Sequence, residues 1–335
     1  MWLSGVVLVV MVASLAVAYA TMVRMPGRSY RGPLPPLTGT QAELGRALER
    51  DVRALAATIG GRAALTAPRG LAAAAAYLDA SLTRAGYAVR RQTFRAVGQE
   101  CDNLEAEIPG SDRPGEVVVV GAHYDSCGNL PAADDNASGV AATLALARAF
   151  RGAPPPRRTL RFVLFANEEP PFFQTGSMGS LVYARACRRR GENVVAMLSL
   201  ETVSYYTDVP GSQSYPLPLF GLYPSTGDFI GFIGNTPSRA LVRAAVGSFR
   251  RHARFPSEGA ALPGAVPGVG WSDHWAFWQA GYPAVMVTDT APFRNPNYHS
   301  PGDTPETLDY ARTARVVDGL TAVVAELASP RGGPR

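Results

Sequence analysis

Four short, almost uninterrupted apolar runs constrain this chain more than any other feature. They are residues 116–121 (EVVVVG), 159–166 (TLRFVLFA), 194–200 (VVAMLSL) and 283–288 (PAVMVT). Each reads as a strand covered on both faces, because a half-solvated strand would alternate polar and apolar residues. Residues 87–94 and 103–108 read as two more strands. Helical patterns fall between or around them, at 41–59, 71–85 and 138–150, with a closing helix inside 304–327. Strands separated by helices argue for an α/β fold, a mostly parallel sheet with helices on both faces. Residues 205–236 and 256–270 are rich in Gly, Pro, Ser and aromatics and read as long loops, which in a compact domain usually serve function.

The ends of the chain divide differently. Residues 2–23 are almost wholly apolar, a length that suits a membrane-spanning helix or a signal peptide. Ala18-Tyr19-Ala20 offers a small-x-small cleavage pattern; no basic residue precedes the run, and Arg24, Arg28 and Arg31 follow it. The expected organisation is a signal peptide or membrane anchor at 1–23, a Pro/Gly-rich linker at 24–40, one folded domain at 41–330 and a tail at 331–335. The protein is therefore expected to be exported: secreted, periplasmic, or anchored on the outer side of the cytoplasmic membrane through residues 2–23.

Composition removes several classes of function. The 335 residues contain 47% hydrophobic and 18% charged side chains, enough for a sizeable core and too apolar for wholesale disorder. All 32 basic residues are Arg, so a Schiff-base lysine, a P-loop lysine and a Ser-Lys dyad are excluded. The net charge of +5 comes from Arg spread along the chain. The one run, Arg188 to Arg190, reads as a solvated helix end, and no nucleic-acid partner is expected. No G-x-S-x-G elbow occurs. The three cysteines, Cys101, Cys127 and Cys187, make neither a disulfide framework nor a zinc finger, though Cys101 and Cys127 could pair in an exported chain. The histidines number four: His123, His252, His274 and His299.

In an open α/β sheet the site lies beyond the carboxyl ends of the strands. The first apolar run is followed by His123, Tyr124 and Asp125, the second by Asn167, Glu168 and Glu169, the third by Glu201, and the fourth by a loop reaching Tyr298 and His299. Asp134 and Asp135 stand just before a helix, where either could serve as its cap. A glutamate pair directly after a fully apolar strand is costly to bury without compensation, and a divalent metal supplies it. A two-zinc hydrolytic site needs an imidazole and a carboxylate on each ion, a bridging carboxylate, and a free carboxylate as general base. His123, Asp135, Glu169, Glu201 and His299 provide the five ligands, leaving Glu168 as the base. Asp125, two residues from His123 on an extended chain, could hold the imidazole's other N–H.

The stretches GAHYDSCGNLPAADDNASGVAATLALARAF, FVLFANEEPPFFQTGSMGS, LSLETVSYY, SDHWAFWQAGYPAVMVTDTA and NPNYHSPGDTPETLDY together resemble the clan MH zinc exopeptidases. More narrowly, they resemble the family of bacterial aminopeptidases, glutamate carboxypeptidase-like proteins and glutaminyl cyclases. The resemblance covers roughly residues 60–328. It implies a phosphorylase/hydrolase-like αβα sandwich around a mixed sheet. It also implies that His123 and Glu201 hold one zinc, that Glu169 and His299 hold the other, and that Asp135 rather than Asp134 bridges them. Glu168 would be the acid/base and Tyr298 an oxyanion donor.

One departure stands out: family members more often carry Asp where this chain has Glu201, and the longer side chain changes coordination reach. Asp273 is expected to cap a helix beside the site, His274 to line the pocket or support a ligand, and His252 to lie on the surface. The implied activity is metal-assisted hydrolysis of a peptide or small amide substrate at its N-terminus. Phe172, Phe173, Tyr205, Tyr206, Phe220, Tyr223, Trp271 and Trp275 are candidates to wall an apolar pocket. A glutaminyl cyclase would use nearly the same ligands on one zinc, but those enzymes often carry Trp where this chain has Tyr298. A non-catalytic, membrane-tethered domain of the same fold is disfavoured by retention of Glu168 and all five ligands.

Overall fold

The computed structural model describes residues 11, 13, 14, 16–217 and 219–330. Most of the apolar leader and the tail expected at 331–335 therefore lie outside the described residues. The described part of the leader is helical and ends in a π-helical turn, Tyr19–Val23. Among the described residues no helix is long and apolar enough to cross a membrane.

Among the described residues a single eight-stranded sheet organises the chain. Its strands are β1 (Arg90–Ala96), β2 (Gln99–Ile108), β3 (Arg113–His123), β4 (Arg158–Phe165), β5 (Asn193–Glu201), β6 (Ile230–Asn235), β7 (Ser257–Leu262) and β8 (Ala284–Thr288). Their spatial order is β1-β2-β4-β3-β5-β8-β6-β7. The central four, β4, β3, β5 and β8, run parallel, so their carboxyl ends meet at one edge. β2 pairs antiparallel with β4, and β6 antiparallel with β8. The helices are α1 (Gly39–Arg53), α2 (Pro68–Arg84), α3 (Gly139–Arg151), α4 (Gly179–Arg189), α5 (Arg239–His252), α6 (His274–Gln279) and α7 (Tyr310–Ala328). α1 starts at a capping box in which Thr38 and Gln41 exchange hydrogen bonds.

Alternate residues of β3 show why the central strands are apolar throughout. Val118, Val120 and Ala122 join the larger core under α1, α2, α3, α5 and α7. Val117 and Val119 join a second core with Tyr183 and Cys187 of α4 and Phe277 of α6. Both faces are dry, which gives the three-layer αβα sandwich.

Three details differ from the expectation. The first two strands are shifted, because Val97 (φ 47°) and Gly98 (φ 79°) form a two-residue hairpin turn that pairs Ala96 with Gln99. Strands β6 and β7 lie within the two stretches expected to be loops, 205–236 and 256–270, and α5 falls between them. Their glycines hide the strand pattern and have a packing reason: a Cβ on Gly259 would lie 2.8 Å from Met25 and Val246. Cys101 and Cys127 are both free. Cys101 is buried on β2 against the Asn167 side chain, whereas Cys127 sits in the loop after β3, so the two thiols serve different neighbourhoods. The Arg188–Arg190 run is exposed at the end of α4.

Candidate metal centre

The carboxyl edge of the central strands gathers five side chains around one point. His123 is the last residue of β3, and its imidazole is fully buried. Its Nε2 lies 3.3 Å from Asp135 Oδ1 and 3.2 Å from Glu201 Oε2. His299 Nε2 lies 3.0 Å from Asp135 Oδ2 and 3.2 Å from Glu169 Oε2. The Asp135 carboxylate thus turns one oxygen to each imidazole. Glu168 Oε2 stands 3.8 Å from His123 Nε2, on the His123 side. His123 Nδ1 is 3.4 Å from Asp125 Oδ1.

Main-chain hydrogen bonds hold these groups in place. The two oxygens of Asp125 accept from the backbone N–H groups of Glu168 and Glu169, each at 3.0 Å. Asp303 does the same for Asp134 and Asp135, at 2.8 and 3.1 Å. Asn136 donates to Leu200 O at 2.8 Å, and its Oδ1 accepts from Gly139 N and Thr202 N, each at 3.1 Å. A Cβ on Gly139 would lie 2.2 Å from Leu200 O, so only glycine lets α3 butt against β5 here. Ser272 donates to Glu201 Oε2 at 2.7 Å and lies 3.0 Å from Ser199 Oγ. Asn167 (φ 60°), Thr202 (φ 45°) and His299 (φ 52°) hold the left-handed conformation. That strain falls where strands hand over to site loops, as it commonly does at functional sites.

The electrostatics are those of crowded, buried acids. Burial and the neighbouring Asp135 push Glu169 up to about 8. Burial raises Glu168 well above the carboxylate range, with His123 opposing and Glu201 and Glu169 adding to the rise. Burial would also raise Asp135, but His123 and His299 outweigh it and hold it below the usual range. Burial alone would lower His299; Asp135 and Glu169 instead push it up to about 11. His123 Nε2, Asp135 Oδ1 and Glu169 Oε1 are buried without hydrogen-bond partners. Orphaned donor atoms of this kind, all N or O and converging, fit a divalent zinc-like cation.

Other candidates take different places. Asp134 points away from the imidazoles and accepts from Ser204 N and Asn295 Nδ2. Asp273 makes no side-chain cap; both its oxygens are buried without partners, and burial pushes it up to about 7. His274 is buried, faces Val269 O at 2.7 Å, and is driven down to about 4 by burial. His252 is exposed beside Glu326. Tyr298 stacks on His299, with ring centroids 3.9 Å apart and planes 14° apart.

Sequence reasoning missed Arg62. Its guanidinium is fully buried and donates to the carbonyls of Tyr124, Leu55, Gly60, Pro131 and Ala132. Burial lowers it to about 10, opposed by Asp125 and Asp303. It is a cation beneath an acidic site, and no local pattern marks an arginine for that place.

An apolar pocket opens from Glu201 and Tyr298 and runs to Leu219, Ile233, Leu262 and Val269. Of the aromatic candidates, Tyr223 and Trp271 line it. Phe172 and Tyr206 belong to the core, Phe173 and Trp275 pack beside Met178, and Phe220 is exposed. Tyr215, Phe229 and Phe293 complete the wall.

Residues 103–324 match the model of a family described as peptidase family M28. The uncharacterized protein YfbL of Escherichia coli (strain K12) is 38% identical over 286 residues, spanning 83% of this chain and 86% of that protein. A probable leucine aminopeptidase of Trichophyton verrucosum is 31% identical over 221 residues, 62% of this chain and 52% of that protein. The chain thus spans about half the length of this fungal relative. Among solved structures, BSAP, a zinc aminopeptidase from Bacillus subtilis, superposes with a TM-score of 0.68 at 14% identity, covering 86% of this chain and 96% of that one. A glutaminyl cyclase from Fimbriiglobus ruber superposes with a TM-score of 0.61 at 20% identity, covering 90% and 99%. At these identities the structures establish a shared fold.

Proposed function

The chain belongs to peptidase family M28, and from that premise we propose that it is a zinc aminopeptidase, a metallo-exopeptidase that hydrolyses the N-terminal bond of peptide or small amide substrates. The observation that carries this reading is the divided Asp135 carboxylate, with Glu201 on the His123 side and Glu169 on the His299 side. Two zinc ions fit that donor set, each with an imidazole, a carboxylate of its own and a share of Asp135. When bound, they supply Lewis acidity and bring the pKa of water toward neutrality.

The chain's own residues do the rest. Glu168 takes the proton of the attacking water and returns it to the leaving amine. Its backbone is fixed by Asp125, which keeps the carboxylate aimed at the site. Burial pushes the Tyr298 hydroxyl far above its ordinary range, so it remains a proton donor to the developing oxyanion. A free substrate α-amine finds carboxylates close by, which favours exopeptidase action. The long apolar cavity beside Glu201 and Tyr298 accepts a large apolar side chain.

The test is to assay the purified full chain on aminoacyl-nitroanilides and on Gln-peptides, with metal analysis of the active protein. Hydrolysis of nitroanilides with two zinc ions per chain is the expected result. Activity confined to Gln-peptides with one ion at full activity would assign a cyclase instead. The apolar run at 2–23 and the Arg residues after it support export, with the run cleaved or retained as a tether. A reporter fused after the linker that works only in the cytoplasm would overturn that.

A further inference from the structure

We propose that Cys127 is a further protein ligand on the His299 side of the metal centre, an inference that rests on the reading of this site as a zinc site. Cys127 Sγ, Glu169 and His299 offer ligand atoms that all lie within 4.8 Å of one another. In a tetrahedral zinc site, Zn–S is about 2.3 Å and Zn–N or Zn–O about 2.0–2.2 Å, which separates donors by about 3.3–3.7 Å. The three atoms are therefore within about 1.5 Å of the separations a shared ion would set. A second, independent observation points to a ligand there. Glu169 Oε1 is buried without a hydrogen-bond partner. Cys127 also lines one narrow crevice with Asp135 and His299.

The thiol is not on a wandering loop. Ser126, its neighbour, exchanges backbone and side-chain hydrogen bonds with Arg62, at 3.0 Å from Ser126 N to Arg62 O and 2.8 Å from Arg62 N to Ser126 Oγ. Ser126 Oγ also donates to Gly128 O at 2.9 Å. The backbone is thus pinned on both sides of Cys127, and the half-buried thiol is presented to the imidazole.

With Cys127 included, the His299 side has four protein donors: Cys127, Asp135, Glu169 and His299. The His123 side has three: His123, Asp135 and Glu201. Four protein ligands close a tetrahedral zinc site, whereas three leave a position open. The open position then falls to the His123 side, where Glu168 stands. Binding converts the Cys127 thiol to a thiolate and releases its proton to solvent.

Cobalt substitution of the full chain tests this. Expected for the native sequence is a thiolate-to-cobalt charge-transfer absorption in the near ultraviolet, absent from Cys127→Ser. Cys127→Ser should also weaken the binding of one of two ions by at least about tenfold, since even loss of an outer partner commonly costs that much. A second measurement uses the native chain alone. Zinc should protect Cys127 from iodoacetamide, while the buried Cys101 and Cys187 stay unreactive with or without metal. Full metal loading with no charge-transfer band and no protection overturns the assignment while leaving the zinc reading intact. A native chain that takes up no metal overturns both.

Discussion

His123 stands at the end of a central strand and His299 on a loop beyond the sheet, yet they face opposite oxygens of one carboxylate. The His123 imidazole is fully buried, while the His299 side chain is 30% exposed. Around His123 the partners are strand-borne: Glu201 ends β5 and is held by Ser272, which leans on Ser199. Around His299 they are loop-borne: Glu169 follows β4, and Cys127 follows β3. One half of the centre is built into the sheet and shares its rigidity; the other is assembled by turns. The two halves should therefore differ in how firmly they hold an ion and in what their loss does to the fold.

The largest expected effect concerns Glu168, which belongs to neither ligand set. Glu168→Gln keeps size and hydrogen bonding but cannot accept the proton, and kcat should fall by at least about 100-fold with both metals and the fold retained. Glu169→Gln should instead weaken metal binding. Metal loss in the first variant and retention in the second would swap the two roles.

Comparing the imidazoles comes next. His123→Ala strips the counter-charge from buried Glu201 and Glu168, so the chain should lose metal and be destabilised by about 3 kcal/mol or more. His299→Ala, at the more exposed half, should cost one ion and lower the stability of the metal-free protein by less than His123→Ala does. Equal losses of stability would break the distinction between the halves.

Protons give a finer probe. Glu169, raised to about 8, and His299, raised to about 11, both hold protons at pH 6. A metal must displace them, so affinity at the loop-borne half should rise with pH between 6 and 9, by up to about tenfold per unit for each proton released. Zinc titrations at several pH values should show this, and a flat profile would contradict the arrangement. The smallest effect is at Asp273, whose folded value of about 7 lies above its ordinary 3.8. A raised acid contributes stability below its unfolded value and loses it as pH climbs through the folded one. Asp273→Asn should therefore raise the melting temperature of the metal-free protein at pH 8 by several degrees, and leave it unchanged at pH 4.

The comparison also explains what was legible in the sequence. β3, β4, β5 and β8 announce themselves because strands dry on both faces must be apolar throughout. Their ends then mark His123, Glu168, Glu169 and Glu201 as chemistry in an expensive place. β6 and β7 escape the same reading because close packing against the helix layer replaces side chains with glycines such as Gly259. Arg62 escapes because its role is written in five carbonyls from three separate segments. The closeness of Cys127 to His299 escapes because it depends on how two loops far apart in the chain meet. Asp273 has the place of a helix cap in the family's pattern, but its buried oxygens accept no bond from the helix it precedes.

Asn136 joins the turn that carries Asp135 to the two residues on either side of Glu201, and Gly139 lets that turn sit flush against the strand. The spacing between those two carboxylates is thus set by main chain, as in a caliper whose one jaw is machined into the frame. The opposing jaw, His299 and Glu169, is carried on loops, and His299 is its more exposed member. Ions of different radius, exchanged one for another, would be gauged against the fixed jaw. The whole adjustment would appear as movement of the loop that carries Tyr298, and with it of the cavity wall.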